Sequence, residues 1–293
     1  MNRLLTALLL ALFTFSFADS REIYLIGHRG IGGKSYENTW KAFRRAIKSG
    51  LTSLETDVQI TRDGYYVLLH DRHLRCQKKK KPYRRKRMNI SQLNLAELFN
   101  CPGRKKNMMT LHEFFDQITG LEEKRKKGSP IVFTLDVKTV EKRKSKNRWA
   151  ARCLLDMIHK FKLRKRVIVQ SANLKFIREF KRIDKTVFTS ALFQPRWHHS
   201  VYIKRGKRKQ LNRLLLKKAQ KAKADGVSLP RYYVSREIVS LSKKKGLRVI
   251  VFTLNSKKQI LHYLNMGVDG ILTDKPKLLA RTFKKWKKQP DKS

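Results

Sequence analysis

The sequence predicts an α/β fold, a closed (β/α)8 TIM barrel with a small basic insertion after its second strand. Three observations lead there. Short apolar runs recur along the chain, beginning near positions 23, 54, 131, 167, 187, 227, 249 and 270. Between most of them lie segments with apolar residues at helical spacing, and repeated strand-then-helix units in that number argue for a closed parallel barrel. Finally, the polar residues with chemical potential cluster just past or within the ends of these runs, where the active residues of such barrels sit.

Tyr24, Leu25 and Ile26 form the first apolar run, stopped by the glycines that flank His28 and Arg29. Asn38 to Ser49 reads as a helix with Trp40, Phe43, Ala46 and Ile47 on one side, Asn38 or Thr39 as N-cap and Gly50 at its end. Leu54 to Ile60 is the second strand. Side chains two apart on a strand share a face, so Glu55 and Asp57 point the same way and repel each other unless a cation lies between them. Thr61-Arg62-Asp63-Gly64 reads as a tight turn, and Tyr65 to Leu69 runs back to deliver His70. The insertion, about 72–107, contains Lys78 to Lys81 and Arg84 to Arg87 and reads as a mobile basic loop. Helices follow at Ser91 to Phe99 and Thr110 to Ile118.

Ile131 to Val137 is the next strand, with Asp136 and Lys138 on one face. Strand and helix then alternate to Trp286: helices are expected over Trp149 to Phe161, Leu174 to Phe180, Lys209 to Ala224, Ser235 to Lys245, Lys257 to Asn265 and Lys277 to Trp286. Trp197, His198 and His199 form an aromatic–imidazole cluster after the fifth strand, equally readable as packing or as an edge of a cleft.

Met1 to Ala18 has a positive start at Arg3, an apolar stretch from Leu4 to Phe17 and a small-x-small end at Ser16-Phe17-Ala18. It reads as a signal peptide cleaved near Ala18, because it falls short of the roughly 20 residues of a spanning helix. Residues 19–293 would then form one exported barrel domain. Cys76 and Cys101 flank the basic loop, and export makes a disulfide between them plausible in an oxidising compartment. Cys153 sits on a helix beside Leu154 and Leu155.

The chain carries 70 Lys+Arg against 22 Asp+Glu, a net charge of +48. Such a surface attracts polyanions, and peripheral contact with an anionic membrane is one consequence. The basic runs coat most of the helices rather than one stripe, and there is no zinc-finger, helix-turn-helix or RNA-binding signature.

His28-Arg29-Gly30, Glu37-Asn38-Thr39, Glu55-Thr56-Asp57-Val58, Thr61-Arg62-Asp63-Gly64 and His70-Asp71 together resemble the signature of glycerophosphodiester phosphodiesterases, and Gly267 to Pro276 resembles that family's last strand. The resemblance implies hydrolysis of a glycerophosphodiester to glycerol 3-phosphate and an alcohol. It implies one divalent cation, Ca2+ or Mg2+, on Glu55, Asp57 and Asp136, and phosphate contacts from Arg29 and Lys138. His28 would be the base and His70 the acid, and Phe252 would line the alcohol pocket where the family often has Trp. The family usually has Glu where this chain has Asp136, whose carboxylate is drawn back by about one C–C bond. Two further readings stand beside this one: a lysophospholipase D or sphingomyelinase D activity on the same barrel, and a polycationic module that binds anionic membrane or nucleic acid.

Overall fold

The computed structural model describes residues 23–33, 36–77, 85–101, 107–124, 130–138, 143–195, 199, 202 and 206–288. The signal peptide expected at 1–18 lies outside them. The elements run β1 (Tyr24–Gly27), α1 (Trp40–Lys48), β2 (Ser53–Ile60), β3 (Tyr66–Leu68), β4 (His73–Gln77), β5 (Arg85–Asn89), α2 (Leu95–Phe99), α3 (Leu111–Lys124), β6 (Val132–Val137), α4 (Lys144–Lys160), β7 (Val167–Ser171), α5 (Leu174–Ile183), β8 (Phe188–Leu192), α6 (Arg208–Lys221), β9 (Gly226–Pro230), α7 (Arg236–Lys244), β10 (Arg248–Phe252), α8 (Lys257–Met266), β11 (Gly270–Thr273) and α9 (Pro276–Lys287).

Eight of these strands pair in parallel and close on themselves. The order is β1-β11-β10-β9-β8-β7-β6-β2, and β2 returns to β1 through Ile26 opposite Ser53. The barrel expected from the sequence is therefore present. Apolar residues on the outer strand faces meet the helices in one large core, in which Phe114, Phe115 and Phe133 pack edge to face or tilted within about 6 Å of one another. Ile26, Ile168, Ile250 and Leu272 form a separate buried cluster, joined by half-buried Tyr24, Val132, Phe188 and Phe252. They come from six of the eight barrel strands and fill the ring's interior, as small barrels require.

β3 turns back antiparallel on the far end of β2, pairing Val58 with Leu68. This carries the chain to His70 at the barrel mouth. The insertion is more structured than its charge run suggested. β4 and β5 form a two-stranded antiparallel sheet, and Leu74, Ile90, Leu93, Leu98, Cys101 and Met108 bury a small core of their own with Val67 and Leu69. Those scattered apolar residues outweigh the cationic character of the segment between them. The run at 78–84 lies outside the described residues. Cys101 is disulfide-bonded and Cys153 is a half-buried free thiol; the Cys76 side chain is not among those described.

The loop after β1 is tight. A Cβ on Gly27 would stand 2.5 Å from the Gly30 carbonyl oxygen. At Gly30, whose φ is +82°, a Cβ would lie 2.7 Å from the Ala42 backbone carbon. Both the left-handed backbone and the clash with α1 oppose a side chain. Gly30→Ala is expected to lower the unfolding free energy by about 1–3 kcal/mol, which thermal denaturation followed by circular dichroism would read.

Candidate active site

The site begins with period two. Glu55 and Asp57 alternate onto one face of β2 and are 2% and 1% exposed. The register of β2 against β6 sets Asp57 directly opposite Asp136. Carboxylate oxygens of Glu55, Asp57 and Asp136 consequently lie within 4.8 Å of one another, all buried. Despite its shorter side chain, Asp136 joins the cluster.

Three buried carboxylates so close cannot all stay ionised without compensation. Burial, reinforced by the charge of Asp57, pushes Glu55 up to about 7. Burial likewise raises Asp136, with Lys138 opposing. Asp57 goes the other way. Burial would raise it too, but Lys138, Arg29 and a hydrogen bond from Asn38 together hold it below its ordinary value. Lys138 Nζ lies 2.9 Å from Asp57 Oδ1 and also bonds Asp136 Oδ2. Arg29 Nε lies 2.8 Å from Asp57 Oδ2, close enough for ion pairing but without hydrogen-bond alignment.

The Glu37-Asn38-Thr39 motif now has a physical reason. Glu37 accepts a hydrogen bond from Arg29 Nη1 at 2.7 Å and so aims the guanidinium at Asp57. Asn38, in the left-handed region at φ 57°, donates from Nδ2 to Asp57 Oδ2 at 3.0 Å. Its Oδ1 accepts from Thr56 Oγ1 and the Asp57 backbone N–H, at 2.8 and 3.1 Å. Thr39 caps α1 by accepting from the Ala42 N–H. The Arg29 backbone N–H, also left-handed, donates to Glu55 Oε2 at 2.8 Å.

Both imidazoles act on this cluster. His28 follows β1, and its charge acts on Glu55; that of His70 acts on Asp136. His28 Nδ1 lies 2.6 Å from Asp274 Oδ1. Asn255 Nδ2 donates to the other oxygen of Asp274 at 2.6 Å, while Asn255 Oδ1 accepts from the Asp274 N–H at 2.9 Å. Burial alone would lower the His28 pKa; the Asp274 hydrogen bond and the Glu55 charge overcome it and hold it above the ordinary value. His70 Nδ1 lies 2.9 Å from Asp71 Oδ1. Gln59 Nε2 donates to the carbonyls of Leu69 and Asp71, at 2.9 and 2.6 Å, and so anchors the backbone on both sides of His70.

Asp274, Asn255 and Gln59 carry no role in the sequence analysis. Asp274 and Asn255 follow the last two barrel strands, so the rule that active residues sit at strand C-terminal ends was the signal available for them. Phe252 is the last residue of β10, half-buried on the interior cluster at the mouth end. His199 is buried, with Nδ1 3.1 Å from the Tyr233 hydroxyl. Trp197 and His198 lie outside the described residues.

The cluster suits a hard divalent cation. Its donors are three carboxylates, the ligand class of Ca2+ and Mg2+. Asp136 Oδ1 is buried with no hydrogen-bond partner among the described residues, and Glu55 is held at a proton affinity that an ion would reverse.

Known proteins share this fold. Residues 28–278 match the model of the glycerophosphoryl diester phosphodiesterase family. A glycerophosphodiester phosphodiesterase from Caldanaerobacter subterraneus is 24% identical over 276 residues, covering 89% of this chain and 98% of its own. Among solved structures, a glycerophosphodiester phosphodiesterase from Parabacteroides distasonis superposes with a TM-score of 0.68 at 22% identity, covering 92% of this chain and 99% of its own. An Oleispira antarctica phosphodiesterase, solved in complex with the product sn-glycerol-3-phosphate, superposes with a TM-score of 0.67 at 18% identity, covering 89% of this chain and 96% of its own. At these identities the structural likeness bears on the fold, while the family match spans nearly the whole described chain. The chain belongs to the glycerophosphoryl diester phosphodiesterase family and is a phosphoric diester hydrolase.

Proposed function

We propose that this protein hydrolyses glycerophosphodiesters to glycerol 3-phosphate and an alcohol, with one divalent cation, Ca2+ or Mg2+, on Glu55, Asp57 and Asp136. The observation that carries the reading is the buried three-carboxylate cluster, with His28 near enough to influence Glu55 and His70 near enough to influence Asp136. When bound, the ion supplies positive charge against the phosphate oxygens. Arg29 and Lys138, held at the cluster by Asp57, orient the phosphate and offset its charge.

His28 has Nδ1 engaged by Asp274, which leaves Nε2 to take the proton of the attacking oxygen, from water directly or from a neighbouring glycerol hydroxyl, whose attack gives a cyclic phosphate that water then opens to glycerol 3-phosphate. As the bond from phosphorus to the departing alcohol breaks, His70 gives that oxygen a proton. Phe252 packs against one organic arm of the substrate. Release of glycerol 3-phosphate from glycerophosphoglycerol tests the reading. His28→Ala and His70→Ala are each expected to lower kcat by about 10^2–10^4-fold, the usual contribution of a general acid or base. Full activity in either variant would remove that residue from the mechanism. Turnover of lysophosphatidylcholine in preference to glycerophosphodiesters would move the activity to lysophospholipase D.

We also propose export after cleavage near Ala18 and retention on anionic membrane by the basic surface, at roughly 1 kcal/mol per basic residue near the bilayer, screened by salt. A secreted form is expected to begin at Asp19 in N-terminal sequencing. Co-sedimentation with phosphatidylglycerol vesicles is expected to fall steeply between low and high salt.

A further inference from the structure

A cavity adjoins the carboxylate cluster at Lys138. It occupies about 410 Å3 between the C-terminal ends of β2 and β6 and the first turns of α4, within the roughly 300–1,000 Å3 of small-molecule sites. Lys138 belongs to both places: its ammonium bonds Asp57 and Asp136, and it lines the groove. Gln59 also lines the groove, and its amide holds the carbonyls on both sides of His70. The groove therefore meets the cluster at Lys138, on the side where His70 is anchored.

The topology separates this groove from Phe252. Lys138 follows β6 and Phe252 ends β10, and those two strands are four apart in either direction around the closed ring. A phosphodiester bound at the carboxylates has two organic arms, which can extend towards opposite walls. The arm that leaves needs a proton, and the proton donor of the proposed mechanism lies on the groove side.

The lining gives the chemical class. Arg62, Lys138 and Lys146 bring three cations; Arg62 is paired with Glu97 at 3.2 Å and Lys138 with Asp57 and Asp136, and no carboxylate is itself among the described lining residues. Asn89 and Ser91 offer hydrogen bonds, and Trp149, 42% exposed, supplies a single aromatic ring. A quaternary ammonium is recognised by an aromatic cage or a carboxylate, and the described residues of this wall offer neither. Hydroxyl-rich or anionic groups suit it.

We infer that the groove between β2, β6 and α4 receives the leaving alcohol and selects a polyol over a quaternary ammonium alcohol. This rests on the hydrolase reading above and names the substrate class for it. The test compares kcat/KM for glycerophosphoinositol and glycerophosphocholine. The wild type is expected to favour the inositol diester by about tenfold or more, chiefly through KM. Arg62→Glu/Lys146→Glu is expected to remove or invert that ratio, and the milder Arg62→Gln/Lys146→Gln to reduce it if the first variant folds poorly. Lys284→Glu/Lys285→Glu on α9 changes the net charge equally and is expected to leave the ratio alone. A wild type without the preference, or a ratio that the groove variants do not move, overturns the inference. If the wild type hydrolyses neither diester, the hydrolase reading fails and the groove is decided by calorimetric titration of the same two compounds. Tighter binding of glycerophosphoinositol that is lost in the groove variants upholds it; equal binding overturns it.

Discussion

Asp57→Asn is expected to destabilise the metal-free protein, whereas Glu55→Gln, two residues away in the same cluster, is expected to stabilise it above neutral pH. The difference follows from which carboxylate has compensation. Asp57 faces Lys138 Nζ at 2.9 Å and Arg29 Nε at 2.8 Å, both largely buried. Taking its charge away leaves those cations facing each other, and breaking one partner of a buried pair costs about 3–5 kcal/mol. Glu55 has little such compensation. Its carboxyl is raised from 4.5 to about 7, by burial first and then by Asp57. The folded state thus keeps a proton that the unfolded chain releases. Stability from this group is present below about pH 4.5, falls as pH rises through the window to 7, and is absent above it. The integrated effect is about 3 kcal/mol, and Gln avoids it while still accepting the Arg29 N–H. Both variants are expected to lose the divalent ion and with it turnover. In the wild type, ion affinity is expected to fall about tenfold per pH unit below 7, as the Glu55 proton competes. Thermal melts of both variants at pH 8 with chelator present check the contrast, and shifts of the same sign would contradict it.

Asp274→Asn is expected to lower kcat by about 10^2–10^4-fold with little change in KM. The carboxylate fixes His28 through Nδ1 at 2.6 Å and is itself fixed by Asn255. An amide at that position fits the neutral ring poorly and can select the wrong tautomer, the failure seen when the orienting carboxylate of a catalytic histidine is replaced. The pH dependence separates this from a general loss of structure. Asp274 is the largest influence holding the His28 pKa up, against burial. Without it the pKa falls, so the acidic limb of the kcat/KM profile is expected to move to lower pH. A profile with an unmoved limb would show that Asp274 does not act through His28.

The barrel was legible in the sequence because it is written in local patterns. Each strand is a short apolar run, and Glu55 and Asp57 share a face through the period of two alone. The same period put Asp136 and Lys138 on one face of their strand, but only the family resemblance tied Asp136 to Glu55 and Asp57; the register that sets it opposite Asp57 is visible only in the fold. Less local features stayed hidden. His28 and Asp274 are 246 positions apart, and only closure of β1 against β11 brings them together. The small core of the insertion was masked by its lysines and arginines, because Leu74, Ile90, Leu93 and Leu98 follow no single period. α4 begins at Lys144 rather than Trp149, since its first turn has no apolar residue to announce it. Asn147 there is buried and holds the turn by bonds to the Arg143 carbonyl and to Asn173 Nδ2.

Glycerol 3-phosphate release by chelator-stripped protein, measured before and after adding back Ca2+ or Mg2+, tests the carboxylate centre most directly. Activity is expected to vanish on stripping and to return with the ion in the wild type, but not in Asp57→Asn. Undiminished hydrolysis by the stripped enzyme would contradict a metal held by Glu55, Asp57 and Asp136.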